Sequence, residues 1–210
     1  PLGFKQTGRS LVSNKQASPS AERYFYWMFN MTKQTLIVFS HGKESGPNGS
    51  KIQRLAKVGS NAGAQVLSVD YSGMDDPEQR VQKLLSYDLP AHDQLLLVGS
   101  SMGGYVSTVA SEPLSAKGHP IKGLFLLAPA FYLADVQVAS AYPVYEPKPI
   151  AETVEIVHGW GDDVVPVGHS IKFAQQHKAA LHILDSDHRL NSVLPQLEVL
   201  FGEFLKRCMG

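Results

Sequence analysis

The stretch Leu95-Leu96-Leu97-Val98-Gly99-Ser100-Ser101-Met102-Gly103-Gly104 decides the fold. Four consecutive apolar residues read as a strand covered on both faces, because a strand with one wet face would alternate. The turn that follows is small and glycine-rich, and it feeds a helical segment beginning at Met102. Gly99 to Gly103 is a G-x-S-x-G pattern in a strand-turn-helix setting. A serine placed there sits on a sharp, strained turn, so its hydroxyl projects from the sheet edge. The small residues on either side let the backbone pass closely, and the helix N-terminus beneath favours a developing anion. Ser101 is therefore the candidate nucleophile.

Working outward, a strand-then-helix rhythm repeats from Leu36. Strands are expected at Leu36–Phe39, Gln65–Val69, Leu95–Val98, Gly123–Ala128, Thr153–Val157 and Leu181–Leu184. The helices between them have readable starts. Ser50 with Gln53 has capping-box spacing, Asp76-Pro77 is a good helix entry, and Pro166 opens another helix. The helix from Met102 is expected to stop near Ser111, before Glu112-Pro113. Val193, Leu194, Leu197, Leu200, Phe201, Phe204 and Leu205 make an apolar stripe on a final helix. Alternating strands and helices imply an α/β fold, a mainly parallel sheet of about six strands with helices on both faces. In such sheets chemistry gathers at the carboxyl ends of the strands.

Residues 1–30 differ from the rest. Pro1 to Ser20 is polar and without period, and Tyr24-Phe25-Tyr26-Trp27-Met28-Phe29 holds five aromatics in six positions. This part reads as a leader or extension, with residues 31–210 forming the catalytic domain and Met31 a natural start. No run reaches the roughly 18 apolar residues of a membrane span, and no secretory signal is legible, so the expected compartment is cytoplasmic. Nineteen basic residues balance nineteen acidic ones, which argues against a general nucleic-acid binder and against a basic membrane-surface module. A single cysteine, Cys208, excludes an internal disulfide framework and a multi-cysteine zinc site. No metal motif and no phosphate-binding G-x-x-x-x-G-K-[ST] loop is present, so no cofactor or metal is expected.

A serine hydroxyl needs a base. Of the histidines, His188 lies between the last strand and the last helix, on the same sheet edge as Ser101. His182 falls within a strand. His158 precedes Gly159 and reads as part of a turn. His92, His119, His169 and His177 fall in loops or helices. The base in turn needs an acid to fix its tautomer. Asp162 and Asp163 both sit on the loop after the Thr153–Val157 strand, and the residues alone leave the two open; Asp187 is a weaker competitor, since side chains adjacent in sequence rarely bond in the needed geometry. Oxyanion donors are expected from the backbone of Met102, directly after the nucleophile, and of Lys43, in the Ser40-His41-Gly42-Lys43 turn after the first strand.

These features together resemble the α/β-hydrolases, over about Leu36 to the C-terminus. The His41-Gly42 turn, the elbow at Ser101, the His158-Gly159-Trp160-Gly161-Asp162 segment and Asp187-His188 follow that family's order of nucleophile, acid and histidine. The resemblance implies a small hydrolase with little or no cap, trimmed at its N-terminal end, and it places the acid at Asp162. It implies hydrolysis of small or short-chain esters through an acyl-enzyme. Thioesters, lactones and small amides are the alternatives on the same residues, and a non-catalytic binding module is a further one. The cap position of the family corresponds to Pro129–Ala151, where Phe131, Tyr132, Leu133, Tyr142 and Tyr145 are the expected substrate-binding residues. Lys43 and Arg189 lie near the edge of the expected site, where they would favour an anionic substrate, but they read first as solvated charges. A small-molecule ester is the expected partner.

Overall fold

The six apolar segments form strands β1 (Thr35–Ser40), β2 (Gln65–Val69), β3 (Gln94–Ser100), β4 (Ile121–Leu127), β5 (Thr153–Gly159) and β6 (Ala180–Leu184) in a computed structural model. The structure describes residues 33–133, 142–143 and 146–210, which fall within one compact unit, Lys33–Gly210. The 1–30 segment and Tyr145 lie outside the described residues. The strands pair in parallel in the order β2-β1-β3-β4-β5-β6. The chain steps from β1 outward to β2, then returns to the other side of β1 with β3. That reversal opens a crevice beyond the carboxyl ends of β1 and β3.

Every residue of β1 and β3 is buried, and their side chains divide between two cores by the period of 2. Leu36, Val38, Leu95 and Leu97 face one core, and Ile37, Phe39, Leu96 and Val98 the other. Helices α2 (Pro77–Leu85), α3 (Met102–Ala116) and α4 (Val167–His177) cover the first face. Helices α1 (Ser50–Asn61) and α5 (Leu194–Met209) cover the second, where Ile52 and Leu55 meet Leu197, Phe201 and Phe204. Each such side chain contributes about 1.5–3 kcal/mol relative to exposure. Among the described residues, no helix is long and apolar enough to cross a membrane.

The local signals hold at some ends and not at others. Asp76 caps α2, accepting from the N–H groups of Glu78 and Gln79, with Pro77 in the first turn. The capping box expected at Ser50 does not form. Gly49 is the residue before α1, with no side-chain cap, so Ser50 already lies one position inside the helix. Helix α3 runs through Pro113 to Ala116 rather than stopping near Ser111. The extra turn buries Leu114 in the core, which offsets the hydrogen bond a proline cannot donate. Strand β5 continues two residues past Val157, so His158 belongs to the strand, not to a turn.

Candidate active site

Between the last residue of β3 and the first of α3 stands Ser101, at φ 55° and ψ −120°, a region that disfavours any side chain. The chain on either side is pinned. Ser101 N–H donates to the Leu127 carbonyl at 2.9 Å, and the Ser101 carbonyl accepts from Ala130 N–H at 3.0 Å. The flanking glycines are steric requirements. A Cβ on Gly99 would collide with the backbone of Gly103, and one on Gly103 would collide with the carbonyl of Ser40. The tight turn therefore presses the start of α3 against the end of β1.

His188 Nε2 lies 3.0 Å from Ser101 Oγ, and His188 Nδ1 lies 2.7 Å from Asp162 Oδ2. The carboxylate accepts only, so Nδ1 carries the hydrogen and Nε2 presents a lone pair to the serine hydroxyl. The acid in contact with His188 is thus Asp162. Asp163, next to it, is exposed on the cavity wall. The Asp162 side chain is fully buried. Its Oδ1 accepts the N–H groups of Val164 and Val165 at 2.9 and 2.8 Å, an Asx turn that shapes the loop. Its Oδ2 also lies 3.0 Å from His158 Nε2. Burial alone would raise the pKa of this carboxyl. The hydrogen bonds from His158, His188, Val165 and Val164 outweigh burial and hold it well below the usual carboxylate range.

His158 is the residue that sequence reasoning missed. Its ring is fully buried. Nδ1 pairs with Ser170 Oγ on α4 at 2.7 Å, and Nε2 faces both the Val165 carbonyl and Asp162. Two acceptors at Nε2 mean that this nitrogen carries a hydrogen and clamps the acid loop. A buried histidine four residues before the acid, at the end of an apolar strand, was the available signal.

The turn after β1 is held from below. His41 Nε2 accepts Tyr71 N–H at 2.9 Å, so Nδ1 carries the hydrogen and donates to the Gly42 carbonyl at 2.7 Å. Burial lowers the His41 pKa, the Gly42 hydrogen bond opposes this, and the Arg80 charge adds to it. Arg80, buried in α2, donates to the carbonyls of His41 at 2.9 Å and Met74 at 2.7 Å.

Ser101, Met102, His188, Lys43 and Gly42 open on one cavity of about 770 Å³, within the range of small-molecule sites. Met102 is the first residue of α3, so its N–H has no acceptor within the helix. Of the expected substrate residues, Leu133 and Tyr142 line the cavity. Phe131 and Tyr132 do not, which corrects the expectation. Both are buried in the core, Phe131 stacked on Phe173 at 4.3 Å and Tyr132 Oη donating to Gln176 at 2.5 Å. Ala128 and Tyr132 adopt positive φ angles, and the segment packs against α4 through Phe173 and Gln176. Arg189 also lines the cavity, and so does Lys51 near the start of α1, a position that the sequence reading passed over. Burial pulls the Lys51 amine down to about 8, against the opposing pull of Asp187 and Asp162.

The sequence family described as "Uncharacterised protein family (UPF0227)" matches residues 36–137. No curated protein matches the chain. Among solved structures, a candidate hydrolase of the alpha/beta superfamily from Xanthomonas campestris pv. campestris is 28% identical. That match covers 83% of this chain and 99% of the other, at a TM-score of 0.69. The protein Est1E from Butyrivibrio proteoclasticus, solved with ferulic acid bound, is 19% identical over 86% of this chain and 91% of its own, at a TM-score of 0.73. A Xanthomonas campestris protein described as an a/b serine hydrolase without lid is 15% identical over 85% of this chain and 84% of its own, at a TM-score of 0.65.

Proposed function

We propose that this chain, a member of the α/β-hydrolase superfamily, is a serine hydrolase that cleaves small or short-chain carboxylic esters through an acyl-enzyme. The observation that carries the reading is the unbroken line from Ser101 Oγ through the His188 ring to Asp162, at 3.0 and 2.7 Å, facing a cavity of about 770 Å³.

In this reading His188 Nε2 takes the Ser101 proton as the serine oxygen attacks the ester carbonyl. Asp162 holds the ring in the required tautomer and stabilises the imidazolium that forms. The amides of Met102 and Lys43 receive the oxyanion, each worth about 3–4 kcal/mol of the barrier. His188 then protonates the leaving alcohol. It next activates a water, which releases the acid and returns the proton to Ser101. The strain at Ser101 supports the reading, because an ordinary turn has no reason to retain it. The structural likeness to Est1E and to the lidless serine hydrolase is consistent with chemistry of this class.

The test is labelling by a fluorophosphonate together with hydrolysis of p-nitrophenyl acetate and butyrate. Wild type is expected to be labelled at Ser101 and to turn over both esters. Ser101→Ala is expected to lose both while keeping its circular dichroism spectrum. Undiminished hydrolysis in that variant refutes the assignment.

A further inference from the structure

Three cationic side chains, Lys43, Lys51 and Arg189, line the cavity that holds Ser101. They are not equivalent. Lys43 is more than half exposed and has Asp75 at 3.8 Å. Arg189 is exposed at the rim. Lys51 projects from the first turn of α1 and is only partly exposed. Among the described residues, neither Lys51 nor Arg189 has a carboxylate within ion-pair distance. Asp187 and Asp162 attract the Lys51 ammonium only from beyond ion-pair distance, and holding it away from water without a direct partner is costly unless a ligand supplies one. The same wall includes Gly49, Ser50 and Ile52, the uncapped start of α1, whose free N–H groups add positive potential.

We propose that the cavity selects acidic esters, substrates that carry a free carboxylate beside the scissile ester, and that Lys51 is the specificity-determining residue that receives this carboxylate. The assignment rests on the hydrolase reading above and names its substrate class. Arg189 lies on the same wall as a second, rim contact. The lining as a whole is charge-balanced and offers no pull on a second negative charge. Lys43, Lys51 and Arg189 face Glu44, Asp163 and Asp187, so a dianion such as a phosphate monoester meets a wall with no net charge. A single carboxylate instead matches the one withdrawn ammonium.

The ionisation of Lys51 gives the proposal a pH signature. Asp187 and Asp162 pull its proton on, Arg189 pushes it off, and burial holds the amine at about 8. Glu44, Asp163, Lys43, His41, His188 and Tyr142, whose phenol burial pushes up to about 12, complete the titratable groups on the same cavity. Below that pH the ammonium is present and the carboxylate is bound. Above it the preference for acidic esters fades, while turnover of neutral esters does not fade with it.

The experiment compares matched pairs of 4-nitrophenyl esters: hemisuccinate against butyrate, and hemiglutarate against pentanoate. In wild type kcat/KM is expected to favour the acidic member of at least one pair at pH 7 and to lose that preference by pH 9.5. Lys51→Met is expected to lower the acidic-to-neutral ratio about tenfold, the scale of a charge-assisted hydrogen bond. Lys57→Met, an exposed charge on the same helix, is expected to leave the ratio where it is. A ratio that Lys51→Met does not move overturns the proposal and leaves the hydrolase reading standing. If wild type hydrolyses none of the esters, the hydrolase reading fails and binding decides the site. Monomethyl succinate, titrated by NMR into Ser101→Ala with and without Lys51→Met, must bind about tenfold more weakly when the lysine is absent, and equal binding overturns it.

Discussion

The dipeptide His-Gly occurs at the carboxyl ends of two strands, as His41-Gly42 after β1 and as His158-Gly159 at the end of β5. Both imidazoles are fully buried, and each holds a loop, His41 through both nitrogens and His158 through Nε2 while its Nδ1 meets Ser170 on α4. The partners differ. His41 accepts a backbone N–H at Nε2 and donates to a carbonyl, so it works as a neutral ring, with the Arg80 charge and the exposed Asp70, 4.0 Å from Nε2, pulling in opposite directions. His158 turns Nε2 toward an anion, Asp162, and toward the Val165 carbonyl. One ring thus fixes the turn that presents the expected oxyanion amide, and the other fixes the acid that orients His188. The same two letters of sequence acquire different work from what the topology sets opposite them.

The comparison is broken most severely at the anion. Asp162→Asn is expected to lower kcat/KM by about 10⁴-fold, the scale seen when a triad carboxylate is replaced by an amide. Asp163→Asn is expected to change it by a few-fold at most, and steady-state kinetics with p-nitrophenyl butyrate checks the pair. The opposite ranking would move the acid to Asp163.

Removing the clamp rather than the acid is the next largest effect. His158→Asn is expected to cost about 10–100-fold in kcat, because a hydrogen bond to a charged group is worth about 1.5–3 kcal/mol. KM is expected to move far less. Equal losses in kcat and in thermal stability across the whole pH range would mark His158 as a packing residue only.

His41 sharpens the contrast through pH. Its folded pKa lies below the ordinary 6.5, burial being the first cause, so the unfolded chain binds the proton more readily. The stability this ring contributes is therefore complete above about 6.5 and is lost as pH falls below that value. In His41→Gln the decline of the denaturation midpoint between pH 7 and pH 5 is expected to be shallower than in wild type. A steeper decline would contradict the neutral assignment.

The smallest expected effect concerns strain. Ser101→Gly, which removes the side chain from a φ of 55°, is expected to abolish activity and yet raise stability by about 1 kcal/mol. Urea denaturation measures it, and a loss of stability would show that the elbow is relaxed.

Much of this was legible beforehand because buried parallel strands read as unbroken apolar runs, and β1, β3 and β4 are of that kind. Ser101 was legible because its turn demands small neighbours on both sides. His188 was legible because it lies between the last strand and the last helix. The choice of Asp162 over Asp163 came from the family resemblance, since adjacent carboxylates carry no sequence signal of which one turns inward. His158 was misread because the residue after it, glycine, signals a turn as readily as a strand end. Phe131 and Tyr132 were misplaced because an aromatic residue just after a strand gives no sign of whether it will turn to the cavity or, as both do, pack against α4. Lys51 was passed over because a charged residue in a helix's first turn gives no sign of which neighbour will cover it.

The contact between Gly103 and the Ser40 carbonyl has a mechanical meaning. With no side chain between them, the helix behind the Ser101 hydroxyl and the strand leading to the expected oxyanion turn are riveted together. Thermal breathing of the sheet carries the two as one body. The spacing between hydroxyl and amide is then set by backbone steric fit.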